Sequence, residues 1–427
     1  MKKITTALTA LGCAVALSGC QTLFPAQNQV DNTIADPVDS ITAVTEVSGD
    51  GQKITAAVLH YDAPVLNDSL SPEDFAVNRR TITQVYSNDR PAKDGQGKDG
   101  NYVVVELSDN DEDAVAFGVD GRDIIRRRPE LKVTQTGDIS DVSGQVIAPS
   151  SIERQSTQTV NLVVDGFKQA EFTDPQTGTA VAYNLFVPED YRVDKQYPLV
   201  LFLHDAAVSG ADVQNTLQQG LGAVVWASPE SQAKQEVLVL APQFDYSAAQ
   251  PYAGKSEADA VIRLIQSLQA QYNVDPTRIY VTGQGEGGDM AIMMNAGYPD
   301  LFAASYIVAA PWNGTQVVPP VQGKMWIVAA EGDEKAFAGM NKATDAWAKQ
   351  GARVVRDMWS GLASPEEFDR ASEAMRNQQA DVYYTVLQKG TVVPSGKTES
   401  SRANQRNTWR IAYTIDSIRD WLLAQHK

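Results

Sequence analysis

The stretch 280–289, YVTGQGEGGD, constrains the fold of this chain more than any other. Apolar Ile279, Tyr280 and Val281 run into Gly283, Gln284, Gly285, Glu286 and Gly287, and a helical pattern continues from Met290 through Met294. A short β-like run, a turn with glycine at every second position and a helical period read as strand, tight turn and helix. Glycines at that spacing remove the Cβ atoms that would keep strand and helix apart. A unit of this kind buries its strand only inside a sheet covered by helices.

The surrounding chain supplies that sheet. Residues 199–203 and 237–240 are continuous apolar runs, as expected of strands covered on both faces. Further strands are predicted at 302–308, 325–330 and 381–386, with helices at 257–272, 336–350 and about 411–425. A hairpin precedes them, 159–172 and 180–187 around the turn DPQTG. The expectation for 159–427 is an α/β domain, a doubly wound sheet with an antiparallel start. Residues 41–137 differ: short runs at 41–47, 54–61, 81–86, 102–107, 114–117 and 131–133 carry no helical period, which predicts a small all-β sandwich. Residues 138–158 are read as a linker. His60 is an ordinary strand residue on this reading, and Arg126, Arg127 and Arg128 form a solvated basic loop.

The N-terminus predicts a compartment. Lys2 and Lys3 precede an apolar run over 8–17 that is too short to span a bilayer. The run closes on Leu17, Ser18, Gly19 and Cys20, which resembles a bacterial lipobox. The expectation is a signal peptide over 1–19 and a lipidated Cys20 that is the chain's partner contact with the membrane. Residues 20–40 are then a polar, proline-containing tether. Gln21 is not the Asp of an inner-membrane retention signal, which points to the cell envelope and its outer membrane. Cys13 leaves with the signal and Cys20 is acylated, so no disulfide or cysteine metal site remains. The formal charge of −17 argues against nucleic acid as a partner. No cofactor is predicted, and no His/Cys cluster or calcium loop suggests a metal.

Gly283 to Gly287 carries the frame of the G-x-S-x-G nucleophile elbow, with Gly285 in the serine's place. The segments YPLVLFLH (197–204), LAPQ (240–243), NVDPTRIYVTG (273–283), YPDLFAA (298–304) and IRDWL (418–422) extend the likeness. Together they resemble α/β-hydrolases of the esterase, polyhydroxybutyrate-depolymerase and predicted-peptidase group, some of which carry an N-terminal Ig-like domain. The resemblance implies a serine nucleophile, a histidine base, an orienting acid and backbone N–H donors for an oxyanion. It places the nucleophile at Gly285, the acid at Asp333 and the base nearest Gln405, a few residues before Trp409. The oxyanion region would be His204, Asp205 and Glu286, where the group's His-Gly is replaced by His204-Asp205. Asp205 would bring negative charge where the reaction develops more. With Glu286, Asp289, Glu331 and Asp333 nearby, the mouth reads as acidic.

Nucleophile, base and oxyanion loop therefore depart together, and the chain reads as a degenerate hydrolase that binds or scaffolds an unknown small-molecule or protein ligand. The alternative is an active serine-type carboxylic ester hydrolase or peptidase with a displaced nucleophile, for which Ser360 and Ser256 are the visible candidates. A third reading places function in the sandwich, with the second domain as a spacer.

Overall fold

The computed structural model describes residues 37–120, 123–245, 255–312 and 324–427. The signal segment, Cys20 and the tether up to residue 36 lie outside them.

The first domain is a sandwich of a seven-stranded and a three-stranded sheet. The larger sheet runs in the order Gln158–Asn161, Val38–Ser48, Gly51–Val65, Gly100–Leu107 and Ile82–Asn88, with Val115–Asp120 and Asp123–Arg126 branching from Gly51–Val65. The smaller sheet is Arg154–Gln155, Lys132–Gln135 and Phe75–Val77. Alternation along Gly51–Val65 places Ala57, Leu59 and Tyr61 in the core between the sheets, and Ala56 and Val58 in a second cluster with Val44, Tyr86 and Val104.

The sequence boundary of this domain shifts. The expected linker 138–158 holds the strands Ile139–Ser140, Val146–Ile147 and Arg154–Gln155. Gln158–Asn161, expected to open the hairpin, instead pairs in parallel with Val38–Ser48. The reason is edge satisfaction: without it the outer edge of Val38–Ser48 would leave its backbone groups unpaired. A fragment 37–137 is therefore expected to lack a cooperative thermal transition by circular dichroism, whereas 37–163 shows one. Identical melting of the two fragments would contradict this pairing as the domain's closing element.

The second domain is a nine-stranded sheet. Its order is Phe167–Thr173, Ala180–Phe186, Leu238–Gln243, Tyr197–Leu203, Val274–Gln284, Ala304–Val308, Lys324–Ala330, Val382–Leu387 and Val354–Trp359. The first two strands are antiparallel and the remainder parallel. Along Tyr197–Leu203 every side chain is buried: Val200 and Phe202 face one layer of helices, Leu199, Leu201 and Leu203 the other. Each such side chain contributes roughly 1.5–3 kcal/mol of burial, which fixes Val274–Gln284 and its following turn at the middle of the sheet.

The C-terminal part also differs from expectation. Instead of one helix over about 411–425 there are two, Ser401–Ala412 and Asp416–Leu423. Ser400 caps the first by accepting from the Ala403 N–H at 3.1 Å. Trp409 thus lies well inside a helix, and Gln405 with it.

The two domains share a polar interface, buried at its glutamine pair and solvated at its ion pair. Gln218 Nε2 donates to Gln52 Oε1 at 2.7 Å, and both residues are buried. Arg126, expected in a solvated loop, pairs with Asp212 at 2.8 Å and donates to Asn215 Oδ1 at 2.7 Å. Arg406 donates to the Val119 carbonyl at 2.7 Å. The sandwich therefore reaches the segment that follows strand Tyr197–Leu203, and that segment borders the elbow.

Candidate active site

Strand Val274–Gln284 ends at Gly285, whose φ of +56° and ψ of −129° lie outside the region open to most L-residues. The Gly285 N–H donates to the Val308 carbonyl of the neighbouring strand at 3.0 Å, and helix Glu286–Gly297 begins at once. A Cβ on Gly283 would collide with the Gly287 carbonyl, and one on Gly287 would stand 2.6 Å from the His204 carbonyl. The elbow frame read from the sequence is thus present as backbone geometry.

What fills the nucleophile's space is Asp205. A Cβ at residue 285 would collide with Asp205 Oδ2 and lie 2.9 Å from its Cγ and 3.2 Å from its Cβ. Asp205 follows strand Tyr197–Leu203 and caps a short turn, Ala206–Val208, with Oδ1 accepting from the Ala207 N–H at 2.9 Å. Its own N–H donates to Gln219 Oε1 at 3.2 Å, and Gln219 Nε2 reaches Oδ1 at 3.5 Å. The next donor, the Ala206 N–H, is 3.4 Å from Glu286 Oε2. Backbone donors beside the elbow therefore point at the chain's own carboxyl and amide side chains.

Burial pushes the Asp205 carboxyl well above its ordinary range, and the charge and hydrogen bond of Glu286 push it further in the same direction. Arg406 pulls the other way without prevailing. The direction of that shift favours a proton on Asp205 beside Glu286, which would relieve the expected clash of like charges. Asp289, on the same helix, is raised by burial and by Glu286, and its Oδ1 has no hydrogen-bond partner. The mouth is not uniformly acidic, since Arg406 from helix Ser401–Ala412 borders it.

His204 is fully buried and structural. Its Nδ1 lies 2.8 Å from the Asp205 carbonyl, and its Nε2 accepts from the Phe244 N–H at 2.9 Å. The ring is therefore neutral with the proton on Nδ1, and burial lowers its pKa to about 4. It holds the Asp205 backbone and has no free nitrogen to serve as a base.

Asp333 follows strand Lys324–Ala330, where it caps helix Glu334–Lys349 by accepting from the Ala336 N–H at 3.2 Å. Ser401 Oγ lies 3.4 Å from Oδ1, while the buried Oδ2 has no partner. Burial raises this carboxyl too. Gln405 makes no hydrogen bond to Asp333; the residues of that helix which approach it are Ser401 and Asn404, the latter packed against Gly332. Glu331 turns outward to accept from the Lys389 N–H at 3.0 Å. Ser360 accepts from the Leu362 N–H in a turn after the edge strand, and Ser256 bonds to Glu257 in the first turn of its helix. Neither is beside an imidazole: His60 stacks on Tyr102 in the sandwich, and His426 is exposed near the C-terminus. Among the described residues no group of three or more His, Cys, Asp or Glu is arranged to hold a metal.

Gln219, Ser401, Asn404 and Arg406 were not anticipated as parts of this site. Each meets it only through contacts between distant segments, and no local pattern marks them.

With this geometry in place, the comparisons with known proteins agree with the fold. Residues 40–148 match the esterase Ig-like N-terminal domain, and residues 181–314 match the esterase PHB depolymerase family. A solved structure of a thermostable esterase superposes with a TM-score of 0.77 at 28% identity, covering 91% of this chain and 100% of that one. Poly(3-hydroxyalkanoate) depolymerase C of Paucimonas lemoignei is 38% identical over 14% of this chain, and poly(3-hydroxybutyrate) depolymerase of Ralstonia pickettii is 30% identical over 27%. These alignments span only 15% and 26% of the two relatives' own lengths. The chain carries an esterase Ig-like N-terminal domain ahead of an esterase PHB depolymerase domain, is homologous to PHB depolymerases and esterases, and has the α/β-hydrolase fold.

Proposed function

We propose that this protein is a non-catalytic member of its family, a binding or scaffolding protein built on an esterase frame. The observation that carries the reading is the Asp205 carboxyl standing where a serine side chain would project from residue 285. A serine hydrolase needs an exposed hydroxyl at that point, a base within hydrogen-bond reach and free donors for the oxyanion. Here glycine holds the elbow, both nitrogens of the nearest histidine are engaged, and Ala206 and Asp205 N–H groups are turned to Glu286 and Gln219. The lipobox-like LSGC ending at Cys20 supports a lipid anchor in the cell envelope, on the outer membrane, with residues 21–36 as spacer.

The purified protein is expected to form no adduct with a fluorophosphonate probe and to hydrolyse short-chain nitrophenyl esters no faster than buffer. A stoichiometric adduct would overturn the reading in favour of an active hydrolase, and mapping it would identify the displaced nucleophile, with Ser360 and Ser256 checked first.

A further inference from the structure

The side chain of Asp205 beyond its Cα is a carboxymethyl group, with the heavy atoms of acetic acid. It lies buried, 5% exposed, in a cradle made by four elements. Oδ2 fills the volume over Gly285, and Oδ1 receives the Ala207 N–H at 2.9 Å with the Gln219 amide at 3.5 Å. Arg406 borders the same point while its guanidinium is anchored on the Val119 carbonyl of the sandwich. The cradle thus combines a hydrogen-bond donor pair, a nearby cation, the Glu286 carboxyl as acceptor for the acid's own proton, and a glycine that leaves room for one small group. These are the elements that recognise a carboxyl group.

We infer that Asp205 is an internal ligand: its side chain occupies a seat for a small carboxylic acid and closes that seat to acids supplied in trans. The inference rests on the reading of residue 285 as lacking a nucleophile, since a serine there could not share the space. The seat is short. Filled by two carbons in the native protein, with the carboxyl end over Gly285, it accommodates formate and acetate, whereas a longer chain would run into the backbone of residue 205. In the native protein the tethered group competes at an effective concentration that a free acid does not match.

The experiment is chemical rescue. Asp205→Gly removes the carboxymethyl group and leaves Ala207, Gln219 and Arg406 in place. The variant is expected to bind 13C-acetate saturably and with one-to-one stoichiometry, read by line broadening and equilibrium dialysis against chloride at equal ionic strength. Affinity should exceed that of the native protein by at least about tenfold, and a tenfold excess of acetate over Kd should raise Tm by about 2 °C. Asp205→Asn keeps the seat filled and is expected to show no acetate effect. Asp205→Ala, which keeps Cβ and so leaves a formate-sized seat, is run in parallel with 13C-formate, so that misfolding of the glycine variant, seen by circular dichroism, leaves a second open seat to test. A folded Asp205→Gly protein that ignores acetate, or a folded Asp205→Ala protein that ignores formate, would overturn the inference, as would equal binding by the native protein. Neither result bears on ester turnover, which alone decides the non-catalytic reading.

Discussion

Gly285→Ser is expected to destabilise the protein by on the order of 3 kcal/mol and to restore no ester hydrolysis, although it rebuilds the G-x-S-x-G pattern. Two effects combine. At φ +56° and ψ −129° a residue with a Cβ is strained, which costs roughly 1–3 kcal/mol. The new side chain also meets Asp205 at distances that no packed core tolerates, so the buried Asp205 carboxyl must leave its place or the turn 206–208 must shift. The second effect depends on Asp205. The double variant Asp205→Gly, Gly285→Ser should therefore recover at least about 1 kcal/mol of the loss, a coupling well outside the additivity expected of independent sites. Activity should still be absent, because the imidazole nearest the elbow, His204, has both nitrogens engaged and cannot take the hydroxyl proton. Denaturant midpoints of the two single variants and the double variant measure the coupling. Additive losses would show that Asp205 does not occupy the serine's space.

The parts of this fold legible in the sequence are those where burial is written into adjacent residues. The run 199–203 is apolar at every position because both faces are covered, and 54–61 reads as a strand because most of its buried positions are β-branched, small or aromatic. The elbow was legible for a different reason: glycine is required at 283 and 287 by backbone atoms packed against them. Elements stabilised by distant partners left weaker marks. The edge strand Val354–Trp359 is interrupted by exposed Arg356 and Asp357, which suit an edge but break an apolar run. Helix Ser401–Ala412 carries its inward face on Asn404, Thr408, Trp409, Ile411 and Ala412, of which Asn404 and Thr408 are polar, so its first turns resemble a loop.

The site divides along the same line. Gly285 and Asp205 are visible as departures from the family's residues at those positions. Their meeting is not, because it joins segments 80 residues apart and depends on how the turn 206–208 directs one carboxyl group. Asp333 was located by the strand before it, whereas its neighbour on the last helices depends on where helix Ser401–Ala412 starts. A shift in that start exchanges Gln405 for Ser401 and Asn404 as the residues near the carboxyl.

The proton on Asp205 leads to the second large expected effect, on pH dependence. Asp205, Asp289 and Asp333 are all held above the ordinary carboxylate range, in each case chiefly by burial. In the unfolded chain such groups ionise near pH 4. Between that value and the raised folded value the native state binds more protons than the unfolded state, so stability falls as pH rises. The slope approaches about 1.4 kcal/mol per pH unit for each group. Depressed carboxyls act at the other end: Asp174 is held low first by its hydrogen bonds to Arg263, and stability gained from it is lost as pH falls below about 4. Asp205→Asn should therefore raise Tm at pH 8, leave it nearly unchanged at pH 4.5 and flatten the decline between them. The amide can still accept from Ala207 N–H and donate to Glu286, so packing is kept. The groups facing Asp205 set the alternative outcome. Glu286 opposes its ionisation and Arg406 favours it, while Arg406 is itself repelled by Arg402 and attracted by Asp120. If Arg406 prevailed, Asp205 would be an anion at neutral pH, and Asp205→Asn would destabilise the protein at pH 8 more than at pH 4.5. Thermal melts of the two proteins across that range distinguish a proton from a charge at the carboxyl that stands over residue 285.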